Sequence, residues 1–226
     1  YEWGFNYVDY GMDQRVVNDK RYKDQIFDGL RSLPSYSLVM EMDDLFDEES
    51  GIFANAKNDG REWERSCSLE MISPDGESGF QENCGVRIRG GFSRMSPNAK
   101  HAFRFFFRSE YGPAKLKYPV FGKDAAQEFD NIDLRTFSNY SWSLSDDPRC
   151  TFMRDQFNRD MQFSLGQSTA RGHYCHLYIN GHYWGLFNVV ERPEASFGAT
   201  YFKGKKDDFD VIKIGRGKGK GEGNTQ

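Results

Sequence analysis

The chain has 226 residues, 38% hydrophobic and 28% charged, with a net charge of −4. That composition is globular rather than disordered. The acidic balance argues against nucleic acid as the main partner, and no run of about 18 apolar residues exists to span a membrane. Aromatic residues make up 16%, with 20 Phe and 12 Tyr, so rings fill the core where Leu, Ile and Val are sparse.

In chain order, residues 1–35 read as a polar, aromatic lead-in arm. A helical stretch is expected around Asp19–Leu33, where Val16, Tyr22, Ile26 and Leu30 recur about every four residues and Pro34 ends the run. Tyr36–Met42 reads as a strand. The acidic run Glu41–Glu49 reads as a solvated loop, since its spacing is not that of an EF-hand. Asp75-Gly76 is a two-residue hairpin signal between strands at Trp63–Ser73 and Phe80–Gly90. That turn sets Pro74 against Glu77 and, further out, Cys67 against Cys84. Directly opposite cysteines are close enough to form a disulfide, or they stay as two buried thiols. Cys150 and Cys175 are left as a second pair with less support. An oxidised pair implies export from the cytosol.

Val86 and Ile88 alternate with Arg87 and Arg89, the period of a half-buried strand. Gly90-Gly91 breaks it, and Ser96-Pro97-Asn98 makes a turn. The strand His101–Arg108 places His101, Phe103, Phe105 and Phe107 on one face and Arg104 and Arg108 on the other. Residues 114–121 are extended, with Pro119 marking an edge position. Phe129–Phe137 is a strand with Ile132 and Leu134 inward. Asp146-Asp147-Pro148 opens a helix that runs to about Leu165, with Phe152, Phe157, Met161 and Leu165 as its apolar stripe; Gly166 ends it. His173–Val190 is a hairpin around Asn180-Gly181, with His173, Cys175, Leu177 and Ile179 on one face. Ala195–Phe202 is a short helix and Phe209–Ile214 a last strand. Gly215–Gly223 alternates glycine with charge, lacks the elements of a phosphate loop, and reads as a flexible loop. The expected fold is α+β, mostly antiparallel hairpins with one or two packed helices. It divides into an arm (1–35), a domain (36–214) and a loop or cut end (215–226). The first residue is Tyr1, no leader precedes it, and no closing element ends the chain, so both ends are expected to be cuts in a longer polypeptide.

Candidate chemistry centres on cations. Arg89, Arg94, Lys100 and Arg104 lie close together around Gly90-Gly91. Glycine lets backbone N–H groups approach a phosphate, and arginine binds its oxygens bidentately. The competing reading is a basic, solvated sheet face. His173, His176 and His182 make no clear zinc pair with a cysteine and read as structural. No metal ligand is assigned. Asp155 and Arg159 are spaced for helix support. No Gly-x-Ser-x-Gly elbow offers a hydrolase nucleophile. Trp142, Tyr183 and Trp184 are read as core, with carbohydrate binding the weaker option.

Three segments carry a family resemblance in this order. They are Gly85-Val86-Arg87-Ile88-Arg89-Gly90-Gly91-Phe92-Ser93-Arg94 with Lys100 behind it, the stretch Arg149–Asp160, and Leu177-Tyr178-Ile179-Asn180-Gly181-His182-Tyr183-Trp184-Gly185-Leu186-Phe187 ending in Glu191. Together with Gly51-Ile52-Phe53 and Trp63-Glu64-Arg65, they resemble the CotH kinase family over about Tyr36–Ile214. The resemblance implies an atypical protein kinase that moves the γ-phosphoryl of ATP, with Mg, to Ser or Thr of spore-coat or surface proteins. It implies Lys100 as the nucleotide lysine, Arg94 and Arg89 on the phosphates, and Glu191 either orienting Lys100 or sitting near the nucleotide. The catalytic residues stay unassigned. The family's metal- and base-supplying aspartates lie in a later segment, and nothing after Ile214 matches it. The chain alone is therefore expected to be inactive, with the C-terminal half of the same domain or a protein substrate as its partner. The expected location is extracellular or cell envelope, in a large bacterial surface protein. The alternative from a different class is a non-catalytic structural or adhesion module.

Overall fold

The computed structural model describes residues 2–3, 6–7, 11–77, 79–95, 98, 100–141, 150–215 and 218–222. Short strands β1 (Glu2–Trp3) and β2 (Asn6–Tyr7), then helices α1 (Gln14–Val17) and α2 (Ile26–Arg31), lead in. The helix expected over Asp19–Leu33 is therefore shorter and follows a 3-10 turn at Lys23–Gln25. Next come β3 (Ser35–Val39), α3 (Met42–Phe46), β4 (Arg65–Ile72), β5 (Gln81–Arg89), β6 (Ala102–Phe106) and β7 (Asn131–Arg135). Helix α4 (Arg154–Ser164), β8 (Gly172–Ile179), β9 (His182–Val190), α5 (Ala195–Phe202), β10 (Val211–Gly215) and β11 (Lys218–Glu222) complete the order.

The helix-and-strand class is as expected, but the sheet is not a set of hairpins. It is a closed seven-strand barrel in the order β3-β4-β5-β6-β7-β9-β8. All neighbours are antiparallel except β3 and β8, which run parallel, with Tyr36 beside Leu177 and Leu38 beside Ile179. Closure leaves no free edge in this sheet, which removes the template for edge-to-edge pairing. At this strand number side chains fill the interior. Tyr36, Leu38, Leu69, Phe103, Phe105, Leu134, Leu177 and Phe187 are all fully buried there. The Phe alternation of β6 supplies two of these rings, with Phe103 lying 6.2 Å from Phe187 between centroids. Ile52 and Phe53 close one end with Phe46 and Trp184, Phe53 meeting Trp184 edge-on at 5.7 Å.

Two turns behave as read. Gly76 has positive φ in the β4–β5 turn, and Asn180 and Gly181 both do in the β8–β9 turn. The Asn180 side chain also accepts from the Met40 N–H and donates to the Met40 carbonyl, tying the hairpin tip to the end of β3. Leu116 makes only an isolated bridge to Phe129, so residues 114–121 form no strand. The glycine-alternating tail is not a loop throughout: β10 pairs antiparallel with β11, Ile212 opposite Gly221. Trp142, the Asp146-Asp147-Pro148 opening, Arg149, and Ser96 with Pro97 lie outside the described residues.

Helix α4 inverts its expectation. It begins at Arg154, well after Pro148, and its residue against the barrel is Arg159, only 8% exposed. Phe157, Met161 and Leu165 are exposed instead. Polar contacts decide the orientation. Arg159 bonds Asn188 of β9, and Asp155 pairs with Arg135 of β7 and with Arg159. Buried ionic groups need such partners, whereas apolar side chains tolerate exposure at smaller cost.

The cysteine register is as derived, with Cys67 opposite Cys84, but the disulfides are absent. The Cys67 and Cys84 sulfurs stand 3.5 Å apart, in contact but beyond the ~2.05 Å of a bond. Cys150 and Cys175 are also free: Cys175 lies inside the barrel core and Cys150 outside it. Hydrogen bonding with Cys84, then burial, pushes the Cys67 thiol well up, so it stays protonated and inert. Alkylation with iodoacetamide after denaturation, without reductant, is expected to label all four thiols, and the folded chain only slowly because all four are buried. Mass spectra showing two or no labels after denaturation would contradict the free-thiol state.

Candidate functional site

Strand alternation builds the site. Arg87 and Arg89 point outward from β5, because Val86 and Ile88 point in. Arg104 points outward from β6, and Asp133 and Arg135 from β7 around buried Ile132 and Leu134. Register then sets Arg104 beside Asp133 and also beside Arg87.

Asp133 is 3% exposed and holds two arginines. Arg104 donates to it as a fork, Nε to Oδ1 at 2.6 Å and Nη2 to Oδ2 at 3.2 Å. Arg89 Nε lies 3.0 Å from Oδ2, within ion-pair distance but not aligned for a hydrogen bond. Burial lowers the Arg89 guanidinium to about 10, against the pull of Asp133 and with repulsion from Arg104, Arg135 and Arg192. Arg89 thus stays charged at neutral pH, crowded by like charges and short of a full partner set.

An open cleft of about 530 Å³ runs along this end of the barrel. Arg89, Arg135, Arg159 and Arg192 line it, against Asp133, Asp155 and Glu191. A smaller cavity of about 310 Å³ shares Arg89 and Arg135 and is walled by Gly90, Gly91 and Ser93. Gly90 has φ +117°, and a Cβ there would fall 1.9 Å from Ser93 Oγ, so only glycine lets the turn fold back this tightly.

The four residues expected at the nucleotide site divide. Arg89 and Glu191 both reach the cleft. Glu191 does not pair with Lys100: its carboxylate accepts from Tyr201 Oη at 2.6 Å and from the Arg171 N–H at 2.8 Å. Burial raises its pKa, opposed by those bonds. Arg94 turns away to the 51–60 loop, donating to the Asn58 carbonyl at 2.7 Å. Lys100 enters the barrel end, where Nζ donates to the Leu186 carbonyl at 2.8 Å and lies 4.4 Å from the Phe187 ring centre. Gly185 makes room for it, since a Cβ there would sit 2.7 Å from Nζ. Sequence reasoning missed Asp133, Arg135 and Arg192 at the cleft. The outward alternation of Asp133 and Arg135 around Ile132 and Leu134 was the available signal.

His173 is buried against Tyr36 and Phe121, and burial lowers its pKa to about 4. His176 hydrogen-bonds Tyr183 and the Gly29 carbonyl. Both are held structurally. Among the described residues, no group of three or more His, Cys, Asp or Glu is arranged to hold a metal ion, and no helix is long and apolar enough to cross a membrane.

Comparison with known families places the chain. The model of the CotH kinase protein family matches residues 86–225, from β5 through the cleft to the last strand pair, and the chain belongs to that family. No curated protein matches it.

Lys100 generates a pH dependence. Burial lowers its pKa from 10.5 to about 8. Below pH 8 the ammonium is charged in both states, and the folded state bears its desolvation. Between pH 8 and 10.5 the unfolded chain binds more proton, so this contribution makes stability rise with pH. The residue keeps some exposure, so the cost at pH 7 is about 2 kcal/mol rather than the roughly 3 kcal/mol of the full shift. Lys100→Met is expected to be more stable than the parent in urea at pH 7, with the difference closing by pH 10.5. Destabilisation at pH 7 would contradict this assignment.

Proposed function

We propose that this chain grips the triphosphate of ATP as the phosphate-binding part of an atypical protein kinase. One observation carries the reading. The Gly90-Gly91 turn delivers Arg89, a cation whose Nε has no hydrogen-bonded partner among the described residues, into a cleft that Arg135, Arg159 and Arg192 also line. Closely spaced guanidiniums beside a glycine turn suit a polyphosphate, whose oxygens accept bidentate donation. Lys100 supports the same reading from the barrel end. Among the described residues, one of its three N–H donors is used, on the Leu186 carbonyl. Two remain for a phosphate oxygen. Arg94, held by Asn58, is assigned a weaker part in the same task.

ATP supplies the phosphoryl group when bound; this chain's residues bind and orient it. Magnesium is implied by the family resemblance; among the described residues no group of three or more His, Cys, Asp or Glu is arranged to hold it. The cleft carboxylates are all engaged: Asp133 by Arg89 and Arg104, Asp155 by Arg135 and Arg159, Glu191 by Tyr201 and the Arg171 N–H. None is poised to accept a hydroxyl proton, as phosphoryl transfer requires. The chain is therefore proposed to bind nucleotide without turning it over. The acceptors proposed for the kinase are Ser or Thr of coat or surface proteins outside the cell.

Isothermal titration of the chain with ATP tests this. ATP is expected to bind, and Arg89→Gln to weaken it at least tenfold, about 1.4 kcal/mol, with an unchanged circular dichroism spectrum. Absence of binding heat, or a variant that binds as well as the parent, would overturn the reading in favour of a non-catalytic module.

A further inference from the structure

A second cationic feature lies farther along the outer face of β5 and β6, away from the cleft. Three guanidiniums surround the Phe106 ring, with Arg87 at 4.1 Å, Arg108 at 4.9 Å and Arg104 at 6.0 Å from its centre. Their counter-charge is buried beneath them. The Glu64 carboxylate is fully covered and lies 2.7 Å from Arg87, 3.1 Å from Arg108 and 3.7 Å from Arg61. One carboxylate thus serves three arginines. Counting Asp133 under Arg104 and Arg89, and Glu110 beside Arg61, five arginines share three acids. Arg87 and Arg104 face each other directly across the strand pair, a like-charge placement that costs stability. Arg108 Nε has no hydrogen-bond partner among the described residues.

We infer that this strip is a docking site for an extended, carboxylate-rich protein segment. Side chains on one face of a strand repeat every ~6.6–6.8 Å. An extended chain presents alternate side chains at the same interval, so carboxylates four residues apart match Arg104 and Arg108, which flank Phe106. The ring holds the guanidiniums flat by cation–π contact and lowers the entropy lost on binding. Glu64 and Asp133 lie underneath and, of the three acids, only Glu110 beside Arg61 reaches solvent, so the face offered is cationic although the chain is acidic overall. The strip does not line the cleft, although Arg104 shares Asp133 with Arg89.

The test is fluorescence anisotropy of a fluorescein-labelled peptide of about ten glutamates, with a glutamine peptide of equal length as control, each measured with ATP at saturation and with ATP omitted. Arg61 and Arg108 have the most exposed side chains of the strip, at 49% and 35%, and changing them leaves Arg87 on Glu64. The glutamate peptide is expected to bind at least tenfold more tightly than the glutamine peptide. Affinity is expected to fall as salt rises from about 50 to about 300 mM, and Arg61→Gln/Arg108→Gln to lose at least tenfold. Retention of an unchanged urea midpoint excludes unfolding; should the double variant unfold, Arg61→Gln alone is expected to lose at least threefold. Equal binding of both peptides or unchanged binding by a folded variant would overturn the inference. So would binding only when ATP is omitted, which would place the anion in the cleft. An oligonucleotide of equal charge binding as tightly would also overturn the assignment to a protein segment.

Discussion

One buried carboxylate, Asp133, organises the outer face of the barrel. It sits on β7 almost without solvent, takes the Arg104 fork along one side and carries the Arg89 guanidinium along the other. Without it, Arg89, Arg104 and Arg135 would repel one another across adjacent strands with nothing between them, and a buried charge stripped of its partner costs several kcal/mol. With it, the end of β5 is held where the Gly90-Gly91 turn begins, and Arg89 faces the cleft. Glu64 repeats the device one step along the same face beneath Arg87 and Arg108. In both cases the acid is covered and the bases are not, so the depth of the charges, rather than their count, sets the sign that a ligand meets.

The inner side of the same strands is governed by packing. Phe103, Phe105 and Phe187 fill the barrel, and Lys100 lies at its end over the Phe187 ring, in the space that Gly185 leaves open. The Trp184-Gly185-Leu186-Phe187 segment is thus explained residue by residue: Trp184 closes the end against Phe53, Gly185 admits the amine, the Leu186 carbonyl receives it, and Phe187 stacks beneath it. Outer arginines and inner lysine approach the barrel end from opposite sides of one sheet.

Local order was legible in the sequence wherever a turn or an alternation carried it. Asp75-Gly76 placed Cys67 against Cys84, Asn180-Gly181 placed the β8–β9 hairpin, and the alternation of β6 put Phe103 and Phe105 inside and Arg104 outside. Barrel closure was not legible. The parallel seam joins Tyr36 to Leu177 across most of the domain, and no local pattern encodes so distant a pairing. The α4 orientation failed for a different reason. Its 3.6-residue apolar stripe was a genuine periodic signal, but Asp155 and Arg159 found charged and amide partners on β7 and β9 that the stripe did not. At the site, the placing of Arg89 beside the glycine turn was readable. The pairing of Glu191 with Tyr201 instead of Lys100 depended on where α5 packs, which no spacing along the chain reveals.

The central claim is that Arg89, held by Asp133, receives a nucleotide's phosphates together with the Gly90-Gly91 turn and the other arginines that line the cleft. Hydrogen–deuterium exchange with and without ATP tests it most directly. The account predicts slowed exchange at the end of β5 and the following turn, residues 88–94, and at residues 134–136 and 190–193 around the cleft. The β4–β5 turn at residues 73–77 should not change. Protection confined to other parts of the barrel, or none at saturating ATP, would contradict it.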